Sequence, residues 1–188
     1  MPLNPNNLAQ ALLASTDSLT SFESSQQALL ATLADFIKTH AIIEFTYSGL
    51  VQPPASSPLP DPLSGSYTLK LATVIIDSSA VINSLRGATT GAITIWQNLI
   101  AQQLLLSTVA ATSDTLNLIT ITSPVRMLSA PLFNFNPGGS TSRYDTYLNL
   151  ANEFITKLST TPLTPTSTAI SVSPFYISGT ATILPGIK

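Results

Sequence analysis

The sequence predicts an α+β fold, in which about four helices pack on a small, mostly antiparallel sheet and a Pro-rich segment forms an extended arm. Apolar residues recur at helical spacing in some stretches and alternate with polar residues in others, so both kinds of element are expected. The chain has 188 residues and no cysteine, and this length can bury a hydrophobic core without disulfides. We therefore expect a single domain over residues 1–188.

A weak internal similarity divides this domain into two related helix–linker–strand halves, at about 1–76 and 92–188. The sequence of 33–38 resembles that of 150–157, and a Pro-rich connector and a strand follow each of them. Duplication of one unit would explain the similarity, and chance resemblance explains it equally well.

The first two predicted helices each begin with a capping sequence. Asn4 and Pro5 suit the N-cap and the first helical position. Thr20 and Glu23 have the spacing of a capping box, which opens a second helix. Three apolar residues follow in that helix at a spacing of four: Leu29, Leu33 and Ile37.

Alternating apolar and polar residues replace the helical spacing at 42–48 and again at 66–76, which predicts two strands. We expect these strands to pair antiparallel, with Lys70 near Glu44 on the exposed face. Opposite charges across such a pair contribute about 0.2–1 kcal/mol.

The segment 53–62 between these strands is rich in proline. Proline lacks a backbone N–H, so the segment is expected to join neither a ladder nor a helix and to favour polyproline geometry. An arm that docks on a neighbouring subunit and a solvated linker remain equally good interpretations. The candidate interface residues in it are Pro53, Pro54, Pro58, Pro60 and Pro62.

The middle of the chain predicts a buried helix. Residues 78–86 form a helical turn or a short helix. Residues 92–111 are apolar on nearly all sides, which indicates a central core element or an oligomer contact. We expect no membrane span here, because four amides would lie at bilayer depth: Gln97, Asn98, Gln102 and Gln103.

The last third of the chain predicts three strands, a loop and a helix. A strand is expected at 116–122, followed by a long loop at 123–142 with an Asn-Pro-Gly-Gly turn. The helix covers 142–158 and carries an apolar stripe. Two short strands are expected at 168–172 and 175–184. The stripe consists of Tyr144, Leu148, Ala151, Ile155 and Leu158.

Four aromatic residues flank the Asn-Pro-Gly-Gly turn: Phe133, Phe135, Tyr144 and Tyr147. Exposed, they would form a binding patch, since aromatic residues anchor interfaces. Packing of the same residues into the core is the alternative.

Charge is scarce in this chain. Only 9% of the residues are charged and the formal net charge is −2, whereas a typical domain has about 25% charged residues. Nucleic-acid binding is disfavoured, because phosphate neutralisation needs clustered basic residues. Serine and threonine replace the missing charge, with 24 Ser and 25 Thr. Such a surface is poorly protected against association, so we expect partners to cover much of it. An ordinary monomer with a hydroxyl-rich surface is the alternative.

The sequence holds no evident catalytic constellation. Its one histidine, His40, is expected at the end of the second helix, where the helix dipole favours positive charge. The nine acidic residues form no local acidic motif, and no His pair or cysteine offers a metal site. We therefore expect no enzymatic activity, no metal and no cofactor. A small hydrolase that uses a buried His40, bonded to a hydroxyl and a carboxylate, is the enzymatic alternative.

One resemblance concerns the order of segments in 5–76. The run 33–37, the strand at 42–49, the Pro-rich 58–62 and the following Ser-Gly-Ser resemble small structural proteins of tailed bacteriophages. The low-charge, Ser/Thr-rich composition is similar to virion proteins of contractile-tailed phages, including those that infect cyanobacteria.

The resemblance implies a non-enzymatic tail, neck or baseplate subunit in a symmetric ring. Its partners would be other virion proteins and copies of itself, and its location the virion, assembled in the host cytoplasm. No functional residue is carried over from the resemblance. A surface adhesive or carbohydrate-binding module is the alternative function.

Overall fold

Helices and strands are interspersed along the part of the chain that the computed structural model describes. That part comprises residues 3–51, 61–71, 73–88, 90–106, 108–109, 119–172 and 177–188. The helices are α1 (Pro5–Thr16), α2 (Phe22–His40), α3 (Ser78–Arg86), α4 (Ala92–Leu106) and α5 (Arg143–Thr160). The strands are β1 (Ile42–Val51), β2 (Asp61–Lys70), β3 (Thr108–Val109), β4 (Ile119–Ile121), β5 (Val125–Met127), β6 (Leu163–Thr164), β7 (Ser167–Val172) and β8 (Ile177–Ile183).

The described strands form two antiparallel sheets. The larger has the order β2-β1-β8-β7-β4, and the smaller has the order β3-β5-β6. The predicted α+β class is confirmed. Both predicted halves contribute to the larger sheet, because β1 pairs with β2 on one side and with β8 on the other.

One hydrophobic cluster joins the larger sheet to the helices. Phe45 is fully buried on β1, and its ring meets the ring of Tyr67 edge-on at a centroid distance of 5.3 Å. Helices supply most of the other large, fully buried side chains of this cluster, and Ile43 of β1 and Ile187 near the C-terminus supply the rest. The helical side chains include Leu8, Leu12, Leu30, Leu33, Ile37, Ile100, Phe154 and Leu158.

Helix starts depend on local side-chain caps. Asn4 caps α1 as predicted, since its Oδ1 accepts from the backbone N of Asn6 at 2.9 Å. The predicted capping box of α2 is wrong by one residue. Ser21, not Thr20, is the N-cap, and its Oγ accepts from the N of Ser24 at 3.1 Å. Glu23 is instead ion-paired with Arg86.

The central helix is shorter than predicted. α4 ends at Leu106 rather than at residue 111, because the chain enters strand β3 at Thr108. Residues 78–86 form a complete helix, α3, so the described part contains five helices. None of these helices is long and apolar enough to cross a membrane.

The first predicted strand pair forms, but with different bounds. β1 and β2 pair antiparallel, and β2 ends at Lys70 rather than at residue 76. Lys70 stands opposite Ile42 and diagonal to Glu44, on the same face of the sheet. The ion pair of Glu44 is made by Lys188, whose Nζ lies 3.2 Å from Oε2.

The prediction that no proline of 53–62 could join a ladder is wrong at Pro62. This residue lies in β2 opposite Leu50. β2 is an edge strand of the larger sheet, and the start of an edge strand tolerates proline because its missing N–H leaves the inner ladder intact.

The buried face of α5 is rotated from the predicted stripe. Its buried residues are Leu150, Ala151, Phe154 and Leu158, whereas Leu148 and Ile155 are half-buried. α5 packs against α1, and Phe154 also stacks on Phe133 of the preceding loop, so tertiary contacts select which apolar residues of α5 are buried.

Of the other strands predicted from the sequence, β4 and β7 confirm those expected at 116–122 and 168–172. The strand expected at 175–184 is present as β8 over Ile177–Ile183. Residues 116–118 and 175–176 lie outside the described part.

Candidate functional site

The predicted interface prolines fall mostly outside the described residues. Pro53, Pro54, Pro58 and Pro60 lie there, so their role stays a prediction. Pro62 is exposed on the edge strand β2.

The four predicted aromatic residues are half-buried and pack against the core. Phe133 stacks on Phe154 with ring centroids 5.1 Å apart. The hydroxyls of Tyr144 and Tyr147 contact α1 instead, at Asn6 Oδ1 and Thr16 Oγ1 respectively. Phe133 therefore connects the loop before α5 to that helix, and Tyr144 and Tyr147 connect α5 to α1. The fourth residue, Phe135, lines a groove.

His40 does not form the triad that a hydrolase would need within the described residues. Its ring lies at the end of α2, with its centroid 4.6 Å from that of Phe36. Among the described residues it makes no hydrogen bond or ion pair with a hydroxyl or carboxylate. No group of three or more His, Asp or Glu side chains that could hold a metal occurs in this part of the chain.

Leu106 is exposed at the end of α4, Leu128 just after β5, and Leu132 four residues beyond Leu128; we call these three leucines the leucine patch. Their side chains are 73%, 64% and 81% exposed. Leu106 precedes Thr108 by two residues, and Leu128 follows Arg126 by two. Thr108 pairs antiparallel with Arg126. In an antiparallel pair, moving backward along one strand matches moving forward along the other, so the backbone of Leu106 lies near that of Leu128. Arg126 itself is exposed.

The outer face of the larger sheet is covered with hydroxyls, and we call it the hydroxyl face. One row of exposed residues crosses four strands in register: Ser66, Thr46, Thr182 and Ser167. A second row crosses three strands: Ser64, Ser48 and Thr180. Neighbouring strands in a sheet lie about 4.7–4.9 Å apart, so these hydroxyls form a regular, uncharged array.

A groove of about 330 Å³ separates the loop before α5 from one face of that helix. We call it the amide groove, because four of its lining residues are asparagines. The residues that line it are Asn134, Phe135, Asn136, Asn149, Asn152, Glu153 and Thr156.

Hydrogen bonds fix the loop wall of the amide groove. The backbone N of Asn134 donates to Glu153 Oε1 at 2.7 Å, and Gln97 Nε2 donates to the carbonyl of Phe135 at 2.6 Å. Asn136 Oδ1 accepts from the N of Gly138 at 2.9 Å. The loop is thus attached to both α5 and α4, although it has no regular secondary structure.

Of the residues that line this groove, Phe135 was a predicted interface residue and Asn136 belongs to the predicted Asn-Pro-Gly-Gly turn. The spacing of the polar residues in α5 could have indicated the helix wall of the groove. Steps of three, one and three residues place four of them on one helix face: Asn149, Asn152, Glu153 and Thr156. The approach of residues 134–136 to that face depends on the tertiary fold, and no local pattern encodes it.

No protein-family model matches the chain, and neither the curated proteins nor the solved structures compared with it give a match.

Proposed function

We propose that this chain is a non-enzymatic structural subunit that assembles with copies of itself and with other proteins, as a tail, neck or baseplate component of a tailed bacteriophage. The leucine patch is the observation that carries the proposal. Exposed apolar side chains are ordinary when scattered, whereas contiguous ones mark association surfaces.

Arg126 is exposed two residues before Leu128, and this position supports an interface at the leucine patch. Arginine is enriched in protein interfaces, where its planar head group and apolar stem both find contacts. Among the described residues, Arg126 has no ion pair, so its charge is available to a neighbouring molecule.

The scarcity of charge supports assembly from many copies. With 9% charged residues and a net charge of −2, identical subunits repel one another weakly in a ring. The two hydroxyl rows of the larger sheet add a second candidate surface, and their hydroxyls offer hydrogen bonds to a neighbour without the cost of desolvating ions.

Mass spectrometry of density-banded particles from the source lysate tests the virion assignment. We expect this chain at a fixed copy number, repeated between preparations. Absence from the particles, with abundant chain in the soluble fraction, would contradict it and favour the adhesive alternative.

Analytical ultracentrifugation of the purified chain tests whether the leucine patch is an interface between copies of the chain. We expect the double variant Leu128→Ser, Leu132→Ser to dissociate an oligomer that the unmodified chain forms. Ile93→Ser is the matched control, because Ile93 is 42% exposed and lies at the start of α4, at the opposite end of that helix from Leu106. Equal behaviour of the two variants would remove the leucine patch from the interface.

A further inference from the structure

The amide groove holds hydrogen-bonding groups that the protein itself does not use. Among the described residues, the side-chain amides of Asn134 and Asn152 and the hydroxyl of Thr156 have no hydrogen-bond partner. Each amide offers two N–H donors and one carbonyl acceptor, and a hydroxyl offers one donor and two lone pairs. A ligand in this groove would therefore meet donors and acceptors side by side.

The backbone of the loop wall is held in place before any ligand arrives. Asn134 and Phe135 are fixed through their backbones to Glu153 and Gln97, at 2.7 Å and 2.6 Å. Across the groove, Asn149 Nδ2 donates to Ser140 Oγ at 3.2 Å. A preformed wall lowers the entropy that binding must overcome.

The groove is almost free of net charge. Of the described residues that line it, Glu153 alone is charged. The Nζ of Lys157 lies 3.9 Å from Glu153 Oε1 and offsets that charge. An anionic ligand would find no uncompensated cation here, and a cationic ligand would compete with Lys157.

Phe135 supplies the apolar part of the lining. Phe135 is half-buried, packs against the core and is the aromatic residue among those that line the groove. A ligand suited to this lining combines C–H surface for a ring with hydroxyls that both donate and accept.

We propose that the amide groove binds a neutral carbohydrate, with Asn134, Asn152 and Thr156 bonding its hydroxyls and Phe135 contacting its C–H face. The volume of about 330 Å³ lies at the lower end of the range of about 300–1,000 Å³ for small-molecule sites, which suits one or two sugar rings. The proposal does not depend on assembly, because the groove and the leucine patch share no residue.

Amide NMR spectra of the isotope-labelled full chain test the proposal. The probes are maltose, cellobiose, lactose and N,N′-diacetylchitobiose, with inorganic phosphate as the charged comparison. We expect at least one neutral sugar to shift the side-chain amide signals of Asn134 and Asn152. A response to phosphate alone, or to none of the sugars, would overturn the proposal.

Substitutions locate the response. Asn152→Ala is expected to weaken sugar binding about twofold to tenfold, the effect of one neutral hydrogen bond. The helix tolerates this change, since alanine has the higher helix propensity. Asn98→Ala is the matched control, because Asn98 is an exposed asparagine on α4 outside the groove. Unchanged affinity in the double variant Asn134→Ala, Asn152→Ala would place the sugar elsewhere and overturn the assignment.

Discussion

The hydroxyl of Tyr147 lies 2.7 Å from the hydroxyl of Thr16, and this contact joins the end of α1 to α5. Thr16 is fully buried, and its Oγ1 also donates to the carbonyl of Leu12 at 2.7 Å. Because a hydroxyl has one proton, Tyr147 is then the donor to Thr16. Arg143 completes the junction by donating to the carbonyl of Thr16 at 3.0 Å.

We expect Tyr147→Phe to lower the free energy of unfolding by about 1 kcal/mol, the typical net value of one hydrogen bond. Urea denaturation measures the change. Tyr144→Phe is the control, because the Tyr144 hydroxyl reaches Asn6 Oδ1 only at 3.4 Å in an exposed contact. A loss for Tyr147→Phe no larger than that for Tyr144→Phe would contradict a net contribution of the buried hydrogen bond to Thr16.

The sequence predicted those elements whose signals are local. Asn4 capped α1, and the alternation around Phe45 produced β1, because caps and periodicity act within a few residues. The end of α4 at Leu106 was missed, since the apolar run continues into β3 and only the pairing of Thr108 with Arg126 stops the helix.

The candidate surfaces were less predictable than the elements. The alternating Ser and Thr of each strand are visible in the sequence, but the rows of the hydroxyl face require the register of Thr46 with Thr182, which are far apart in the chain. The amide groove likewise needs Asn134 beside Glu153. The periodicity of a sequence can assign a residue to one face of a helix or strand. It cannot identify the distant segment of the chain that packs against that face.

Gly186 has a backbone conformation and an environment that both exclude a side chain. Its φ is +86°, and an added Cβ would overlap the carbonyl oxygen of Ser159. We expect Gly186→Ala to lower the free energy of unfolding by at least about 3 kcal/mol, since strained backbone and a backbone clash add.

Gly139→Ala separates the two causes, because Gly139 has a φ of +88° but no atom within 4 Å of an added Cβ. Its expected loss is about 1–2 kcal/mol, from backbone strain alone. Thermal unfolding of both variants checks the difference. Equal losses would mean that the region around Ser159 yields to the methyl group.

Hydrogen bonds from Thr141 and Ser142 hold the pKa of Asp145 below its usual value of 3.8, with Thr141 the larger cause. Their hydroxyls donate to Asp145 Oδ2 at 2.6 Å and 2.8 Å. A pKa lowered on folding stabilises the folded chain above the unfolded value, and that contribution is lost as the pH falls through the folded pKa.

We therefore expect Thr141→Val to raise the pKa of Asp145 toward 3.8, as followed by NMR titration of its carboxyl group. Thr146→Val is the control, because the Thr146 hydroxyl donates to the carbonyl of Ser142 and not to Asp145. The unfolding free energy of Asp145→Asn should differ from that of the unmodified chain at neutral pH and converge with it in acid. A pH-independent difference would contradict the role of the charge.

A core contact, backbone hydrogen bonds to β1 and an ion pair hold the segment 184–188; the N of Lys188 donates to the carbonyl of Ile42 at 2.9 Å. Ile187 is fully buried, and its N donates to the carbonyl of Leu158 at 3.0 Å. We expect Ile187→Ala to cost about 2–5 kcal/mol, because it leaves a cavity in the cluster. Lys188→Gln should cost less than about 1 kcal/mol, since its pair with Glu44 is partly exposed and screened by solvent. Denaturant titration of both variants, repeated at high salt, measures the free energy of unfolding that the core contact and the ion pair each contribute. A larger loss for Lys188→Gln that salt abolishes would show instead that the charge pair fixes this segment to β1.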